Sequence, residues 1–320
     1  MPLVSNLTTA NDQLTPGEYP QDRCLFVLGC DRSGTTLLQN MLNAHTKIAV
    51  TYEKGILNPY EQAYFESGLD ATVELARGFG LFVDDDILND RELYQSSDER
   101  SFALLMASLY RSHAAAEGKQ FWGDKRPAYT GHVSRLARLF PNSIFVHIVR
   151  DPRGVALSWE KTAWGPGTAY HAASVWVRRV REARTALEEL SPHRSVTVLF
   201  EDLVASPEIS LQRICDAIGV ELEPQMLDGT RRSKEKLSER HELLHPMRSQ
   251  APKKAVAEKW REESPRVLAH IEAACYEEMQ YWGYRPLHAS QGKVPLSWRS
   301  YYRVLGKLRR TFRRRKVGPR

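Results

Sequence analysis

The stretch that decides the fold is Cys24-Leu25-Phe26-Val27-Leu28-Gly29-Cys30-Asp31-Arg32-Ser33-Gly34-Thr35-Thr36-Leu37-Leu38-Gln39-Asn40-Met41-Leu42. An apolar run short enough for a buried strand enters a loop bracketed by Gly29 and Gly34, and Leu37, Leu38, Met41 and Leu42 then recur at helical spacing. The pattern predicts strand, anion-binding loop, helix. The glycines let backbone N–H groups curl round an anion, while the first helical turn adds unpaired N–H donors and the positive end of its dipole. Thr35 and Thr36 bring hydroxyl donors to the same place.

The spacing is that of a phosphate-binding P-loop with one departure. Thr35 stands where the nucleotide-triphosphatase form, G-x-x-x-x-G-K-[ST], carries its Lys, so the point charge aimed at a β/γ-phosphate pair is missing. Arg32 supplies a planar donor inside the loop instead, suited to a terminal phosphate or sulfonate. No apolar strand ending in a lone Asp stands out as a Mg²⁺ holder. Taken alone, the loop also fits a plain glycine turn, and a second motif argues against that.

The second motif is Ile144-Phe145-Val146-His147-Ile148-Val149-Arg150-Asp151-Pro152-Arg153-Gly154-Val155-Ala156-Leu157-Ser158-Trp159. Again an apolar strand ends in a cation, with Asp151 near a helix cap and Pro152 in the first turn. Ser158 follows two turns beyond Arg150. The pair offers to grip one phosphate from two sides.

With both motifs in view, the chain resembles the sulfotransferases that use 3′-phosphoadenylyl sulfate (PAPS). R-S-G-T-T-L at 32–37 looks like their 5′-phosphosulfate loop, and V-R-D-P-R-G-V-A-L-S at 149–158 looks like their 3′-phosphate motif. Trp122-Gly123-Asp124-Lys125-Arg126-Pro127, Phe200-Glu201-Asp202-Leu203-Val204 running into Pro207, and Lys259-Trp260 add support. The resemblance spans about Leu25 to Tyr284 and is nearest the bacterial and tyrosylprotein-like branch. It implies an α/β, three-layer P-loop-type fold: a central parallel sheet flanked by helices, with a helical insertion after the second strand. It also implies PAPS as donor and 3′,5′-ADP as product, held by Arg32, Ser33, Gly34, Thr35, Thr36, Arg150 and Ser158. Lys259 is the candidate to close over the 3′-phosphate, with Lys253 and Lys254 as alternatives.

Lys47-Ile48-Ala49-Val50-Thr51-Tyr52 is β-prone and ends at Glu53. In an open parallel sheet, strand ends lie over the ligand crevice, so Glu53 is expected to face the cofactor. The resemblance agrees, since a Glu at this interval from the loop Arg acts as general base in the tyrosylprotein-like branch. From Asn58 to about Glu117 the pattern is helical and carries no chemical signature. Lys125 sits at the end of a short strand with Pro127 behind it. Its family counterpart implies a contact to the oxygen bridging phosphate and sulfonate. A helix over about 168–190 shows a core-facing stripe with Trp176, and Glu201-Asp202 reads as a cap and buried polar contact. The polar stretch from Thr230 to Val256 reads as a loop or flap, its His241 and His245 as a solvated pair with no third metal ligand nearby.

Composition bounds the rest. At 320 residues and 42% hydrophobic content the chain suits one α/β domain. The expected division is a loose leader over 1–22, the sulfotransferase domain over 23–285 and a basic, helical tail over 286–320. That tail holds eleven Lys/Arg and no Asp/Glu, so the net charge of +6 is a tail property. It is expected to pack on the domain, or to meet an anionic membrane or acidic partner, and nothing in it reads bases. No apolar run approaches the ~20 residues of a membrane span. No secretion signal is visible, which suggests a cytoplasmic enzyme, peripheral to a membrane at most. Cys24, Cys30, Cys215 and Cys275 lack C-x-x-C spacing and read as reduced core thiols.

The mechanism this suggests has Glu53 taking the proton of an acceptor hydroxyl, whether on a small molecule, sugar, lipid or peptide, as it attacks sulfur in line. Arg32, Lys125 and loop N–H groups would stabilise the leaving phosphate, with no metal required. The rivals are a P-loop kinase and a non-catalytic nucleotide-binding protein.

Overall fold

The computed structural model describes residues 19–162, 164–227, 254–289 and, except for 299, 303 and 307, 298 and 300–309 without 310 onward. Five strands, β1 (Leu25–Gly29), β2 (Ile48–Tyr52), β3 (Phe121–Lys125), β4 (Ile144–Val149) and β5 (Ser195–Leu199), form one sheet in the order β2-β3-β1-β4-β5. Every pairing is parallel. A parallel sheet is covered on both faces, which is why β1, β2 and β4 read as near-continuous apolar runs and are buried throughout. Only β5, at the edge, alternates between buried and half-buried positions.

The two faces of β1 divide the core. Leu25 and Val27 pack with Leu38, Met41 and Leu42 of α1 (Thr35–Asn43) and with Leu211 and Ile214 of a later helix. Phe26 and Leu28 point the other way, into an aromatic cluster with Trp122, Tyr129, Phe140 and Phe145. The expected insertion after β2 is present as α2 (Tyr60–Gly78) and α3 (Glu99–Ala116), whose Tyr60, Tyr64, Phe102, Leu105 and Tyr110 roof that cluster. Then follow α4 (Val133–Leu139), α5 (Pro152–Glu160), α6 (Ala169–Glu188), α7 (Phe200–Ala205), α8 (Pro207–Ile218), α9 (Lys254–Glu258) and α10 (Pro265–Tyr281). Trp176 is fully buried in α6, as its stripe predicts, and α5, α6 and α10 share a third apolar cluster. All four cysteines are buried free thiols, and burial pushes each pKa up.

The chain crosses from β1 to β2 on one side and returns to β4 on the other, so the sheet has its switch point beside β1. The carboxyl ends of the strands open there as a crevice. At the outer ends, Tyr19 packs against the core and Asp22 pairs with Arg111 at 2.5 Å, so 19–22 are tied down; 1–18 lie outside the described residues. The described residues of 298–309 are helical and dock by one face. Tyr302 stacks on Tyr170 at 4.9 Å and its hydroxyl meets His270 Nδ1 at 2.6 Å, while Trp298 packs on the same His270.

His147 interrupts the apolar run of β4. It is fully buried, edge-on to Trp282, and neither ring nitrogen has a hydrogen-bond partner among the described residues. Burial drives its pKa from 6.5 down to about 3. The unfolded chain takes up a proton near pH 6.5 that the folded chain refuses until about pH 3, so stability is lost as the pH falls below 6.5. Lowering the pH from 7.5 to 5.0 should cost about 2 kcal/mol through this one group, and His147→Leu should abolish that increment. Urea unfolding of both proteins at the two pH values checks it; an identical pH dependence would refute it.

Candidate active site

Four strand tips meet at the crevice. From β1 the chain turns through Cys30–Gly34, where Arg32 (φ 70°) and Gly34 (φ 95°) both take left-handed backbone and curl the loop. Gly34 caps α1 without any side-chain hydrogen bond, so the first amides of the helix face the loop's concave side without a side-chain cap. No larger residue fits the two glycines: a Cβ on Gly29 would lie 2.5 Å from the Ile148 carbonyl oxygen, and one on Gly34 would lie 2.4 Å from the Phe200 ring.

Beside this loop stands the second motif. Asp151 caps α5 by accepting from the Arg153 amide at 2.9 Å, with Pro152 at the first helical position. Arg150, at the end of β4, donates to the Arg32 carbonyl at 3.0 Å and lies 4.4 Å over the Phe200 ring. Arg32 Nε in turn donates to Ser158 Oγ at 3.0 Å. Burial pulls the pKa of both guanidiniums down, the energetic mark of cations held out of water. Two buried polar atoms here lack a partner among the described residues, Ser33 Oγ and Arg150 Nε. Buried groups of this kind are normally satisfied, so these two orphans fit a phosphate or sulfonate ligand.

Across the loop, Lys125 ends β3 and is 0% exposed. Its Nζ lies 2.7 Å from Glu53 Oε1, 3.5 Å from Thr36 Oγ1 and 3.5 Å from the Tyr52 ring centre. The lysine therefore points into the crevice and joins the carboxylate to the loop. Glu53 itself has φ 51° and is half-buried.

The structure thus brings Arg32, Ser33, Gly34, Thr36, Glu53, Lys125, Arg150 and Ser158 to one crevice. Thr35 is buried, with its methyl packed back toward Gly29. Lys259 is exposed on the short 3₁₀ turn Lys259–Glu262, and its segment reaches the crevice through Val256, whose carbonyl accepts from Arg150 at 2.9 Å. Lys253, His241, His245 and the side chain of Lys254 lie outside the described residues. Among the described residues no cluster has metal-ligand composition.

Glu201 makes the structural polar contact its sequence suggests: it accepts from the Asp151 amide at 3.1 Å and from Tyr284 Oη at 2.8 Å, fixing the start of α5. Sequence reasoning missed other supports. Trp176 Nε1 donates to the Arg150 carbonyl at 3.1 Å, so this core residue also holds the strand tip. Arg153, which carried no separate signal, pairs with Asp151 and Glu272 and stacks on Trp260 at 3.6 Å. Behind the loop, Asp31 pairs with Arg179, and burial still pushes its carboxyl pKa up.

A profile of the Sulfotransferase family matches residues 24–224, which include both loop motifs, Glu53 and Lys125. This chain belongs to the sulfotransferase family. Among similar proteins, a putative protein-tyrosine sulfotransferase of Caenorhabditis briggsae is 24% identical over 211 residues, 64% of this chain and 69% of that protein. Protein-tyrosine sulfotransferase 2 of Gallus gallus is 26% identical over 204 residues, 61% and 51% of the two chains. The matches therefore span about half to two thirds of these relatives. Among solved structures, the sulfotransferase domain of the Synechococcus PCC 7002 olefin synthase superposes with a TM-score of 0.61 at 20% identity, covering 84% of this chain and 98% of that domain. The domain from the curacin biosynthetic pathway gives 0.61 at 21% identity, covering 83% and 99%. Sulfotransferases thus share this sheet and its flanking helices.

The tightest point of the site is testable. Gly34→Ala in this sulfotransferase combines a left-handed backbone with a clash against Phe200 and should cost about 2–4 kcal/mol of stability in urea unfolding. Adding Phe200→Leu should recover the steric part, and no recovery would show that the ring is not what the glycine accommodates.

Proposed function

We propose that the chain transfers a sulfuryl group from PAPS to a hydroxyl acceptor by in-line displacement, releasing 3′,5′-ADP. The observation that carries this is the contact set around Lys125, where one buried ammonium touches both a carboxylate and the first turn of the anion-binding helix. PAPS would supply the sulfuryl group and a phosphate leaving group. Ser33, Thr36 and the α1 amides would hold its 5′ end, and Arg150 with Ser158 its 3′-phosphate. Glu53 would accept the acceptor proton as the new oxygen–sulfur bond forms. Lys125 and Arg32 would stabilise charge gathering on the departing phosphate oxygen, and because they are fixed in a water-poor site they need little reorganisation. The names of the two animal relatives support a phenolic hydroxyl among the acceptors.

A P-loop kinase reading has against it Thr35 at the position of the loop lysine. Titration calorimetry with 3′,5′-ADP and with ATP separates the two, and this reading expects tight binding of the former alone. Glu53→Gln should lower kcat for transfer of radiolabelled sulfate by about 10²–10⁴ while leaving 3′,5′-ADP affinity unchanged. An unchanged kcat would remove Glu53 from the mechanism.

The tail adds a location. Trp298 and Tyr302 face the domain, whereas Tyr301, Val304 and Leu308, at i, i+3 and i+7, are 59%, 59% and 53% exposed. An apolar stripe in a segment with eleven Lys/Arg and no acidic residue supports peripheral binding to an anionic membrane. The chain should co-sediment with phosphatidylcholine vesicles only when phosphatidylserine is included. Val304→Ser with Leu308→Ser should weaken this about tenfold or more, since membrane affinity follows the apolar area buried; equal sedimentation would exclude the stripe as the contact.

A further inference from the structure

We propose that Asp124 is a positioning residue that holds the Glu53–Lys54–Gly55 turn, and with it the Glu53 carboxylate, in the conformation that meets Lys125. The inference rests on the reading of Glu53 as the base and adds a residue that nothing above assigns to the reaction.

The need for such a residue lies in the backbone. Glu53 follows the last residue of β2 with φ at 51°, a region that a side-chain-bearing residue leaves unless its surroundings impose it. The next residue but one, Gly55, is also left-handed, at φ 77°. The chain makes this reversal immediately after the strand, and the reversal sets where the carboxylate points.

What imposes it is a carboxylate inside β3. Asp124 is 0% exposed, and its two oxygens accept from two successive amides of the turn, Lys54 N at 3.2 Å and Gly55 N at 3.1 Å. Two hydroxyls fix the acceptor in turn: Thr51 Oγ1 and Tyr129 Oη each donate to it at 2.5 Å. The Tyr129 oxygen also accepts from the following amide, Ile56 N, at 2.8 Å. Three consecutive N–H groups are thereby gathered by one buried unit, as amides curl round an anion.

The register shows how this reaches the chemistry. Thr51 is level with Asp124, and Tyr52 with Lys125. Successive residues of one strand point to opposite faces, so Asp124 holds the backbone of the turn from below while Lys125 holds the Glu53 carboxylate from above. Glu53 N adds a bond to the Lys125 carbonyl at 2.9 Å. Because Asp124 is buried and its oxygens are taken up by four donors, it acts through Glu53 and touches no substrate.

Two readouts test this, one of which needs no turnover. Amide hydrogen exchange in Asp124→Asn should rise about tenfold or more at residues 54 and 55 while β1 amides keep their protection, because the opening is local. Unchanged exchange at 54 and 55 would overturn the clamp. In kinetics, Asp124→Asn should lower kcat about 10–100-fold with donor KM and 3′,5′-ADP affinity unchanged, since misplacing a reacting group has an effect of this size. In a Glu53→Gln background the same change should alter kcat by less than about twofold, because residues acting as one unit are non-additive. Multiplying losses, or loss of 3′,5′-ADP affinity alongside kcat, would make Asp124 a merely structural residue. Tyr129→Phe, which keeps the carboxylate but removes one of its anchors, should move exchange and kcat in the same direction by less, and covers the case in which Asp124→Asn does not fold. If the wild type shows no sulfuryl transfer, the functional reading fails, and exchange at 54 and 55 still decides the clamp.

Discussion

A lysine ammonium with no exposure to water is tolerable only if something nearby carries the opposite charge, and the crevice is arranged around that requirement. Lys125 finds its counter-charge in Glu53, one strand over, and the face of Tyr52 supplies further stabilisation beneath it. Satisfying one charge therefore fixes the relative position of the β2 and β3 tips. It also leaves the carboxylate beside the loop, where the proposed mechanism needs a proton acceptor. That mechanism asks a chemical role of the same pair that meets this stability condition.

Much of this was legible in the sequence because local chemistry dictated it. Gly29 and Gly34 bracket a loop that no larger residue could make, and Asp151-Pro152 announces the start of α5, so both loop motifs could be placed on strand ends before any fold was known. Glu53 followed from position, since a parallel sheet sends its strand ends to one crevice. What stayed hidden depended on distant partners. Asp124 looked like one letter in a short strand, yet its role comes from amides some seventy positions earlier in the chain. The inward direction of Lys125 was open in the same way, since only the sheet order places β3 next to β1. Lys259 is exposed, and its segment reaches the crevice by the Val256 carbonyl, a backbone group that no side-chain motif can reveal.

The carboxyl-terminal part of the domain works as a fastening for the start of α5. Glu272, fully buried, pairs with Arg153 and accepts from three successive amides at Leu287, His288 and Ala289. Arg153 also donates to the Arg285 carbonyl, while Tyr284 reaches Glu201 and, through it, the Asp151 amide. The helix that carries Ser158 is thus held from behind by residues more than a hundred positions later. This gives the buried Arg153, Asp151 and Glu272 a structural part, the placement of α5.

The ring of Phe200 touches two features usually considered separately. Its edge leaves no room for a Cβ on Gly34, and the Arg150 guanidinium lies over it, 4.4 Å from its centre. Gly34, Arg150 and Phe200 therefore pack as one unit, and a change at position 34, 150 or 200 is felt at the ring they share. Under the function proposed above, a lineage or a protein engineer seeking a different activated anion would have to keep the fit of all three residues at this ring, which favours exchanging them in concert over stepwise retuning.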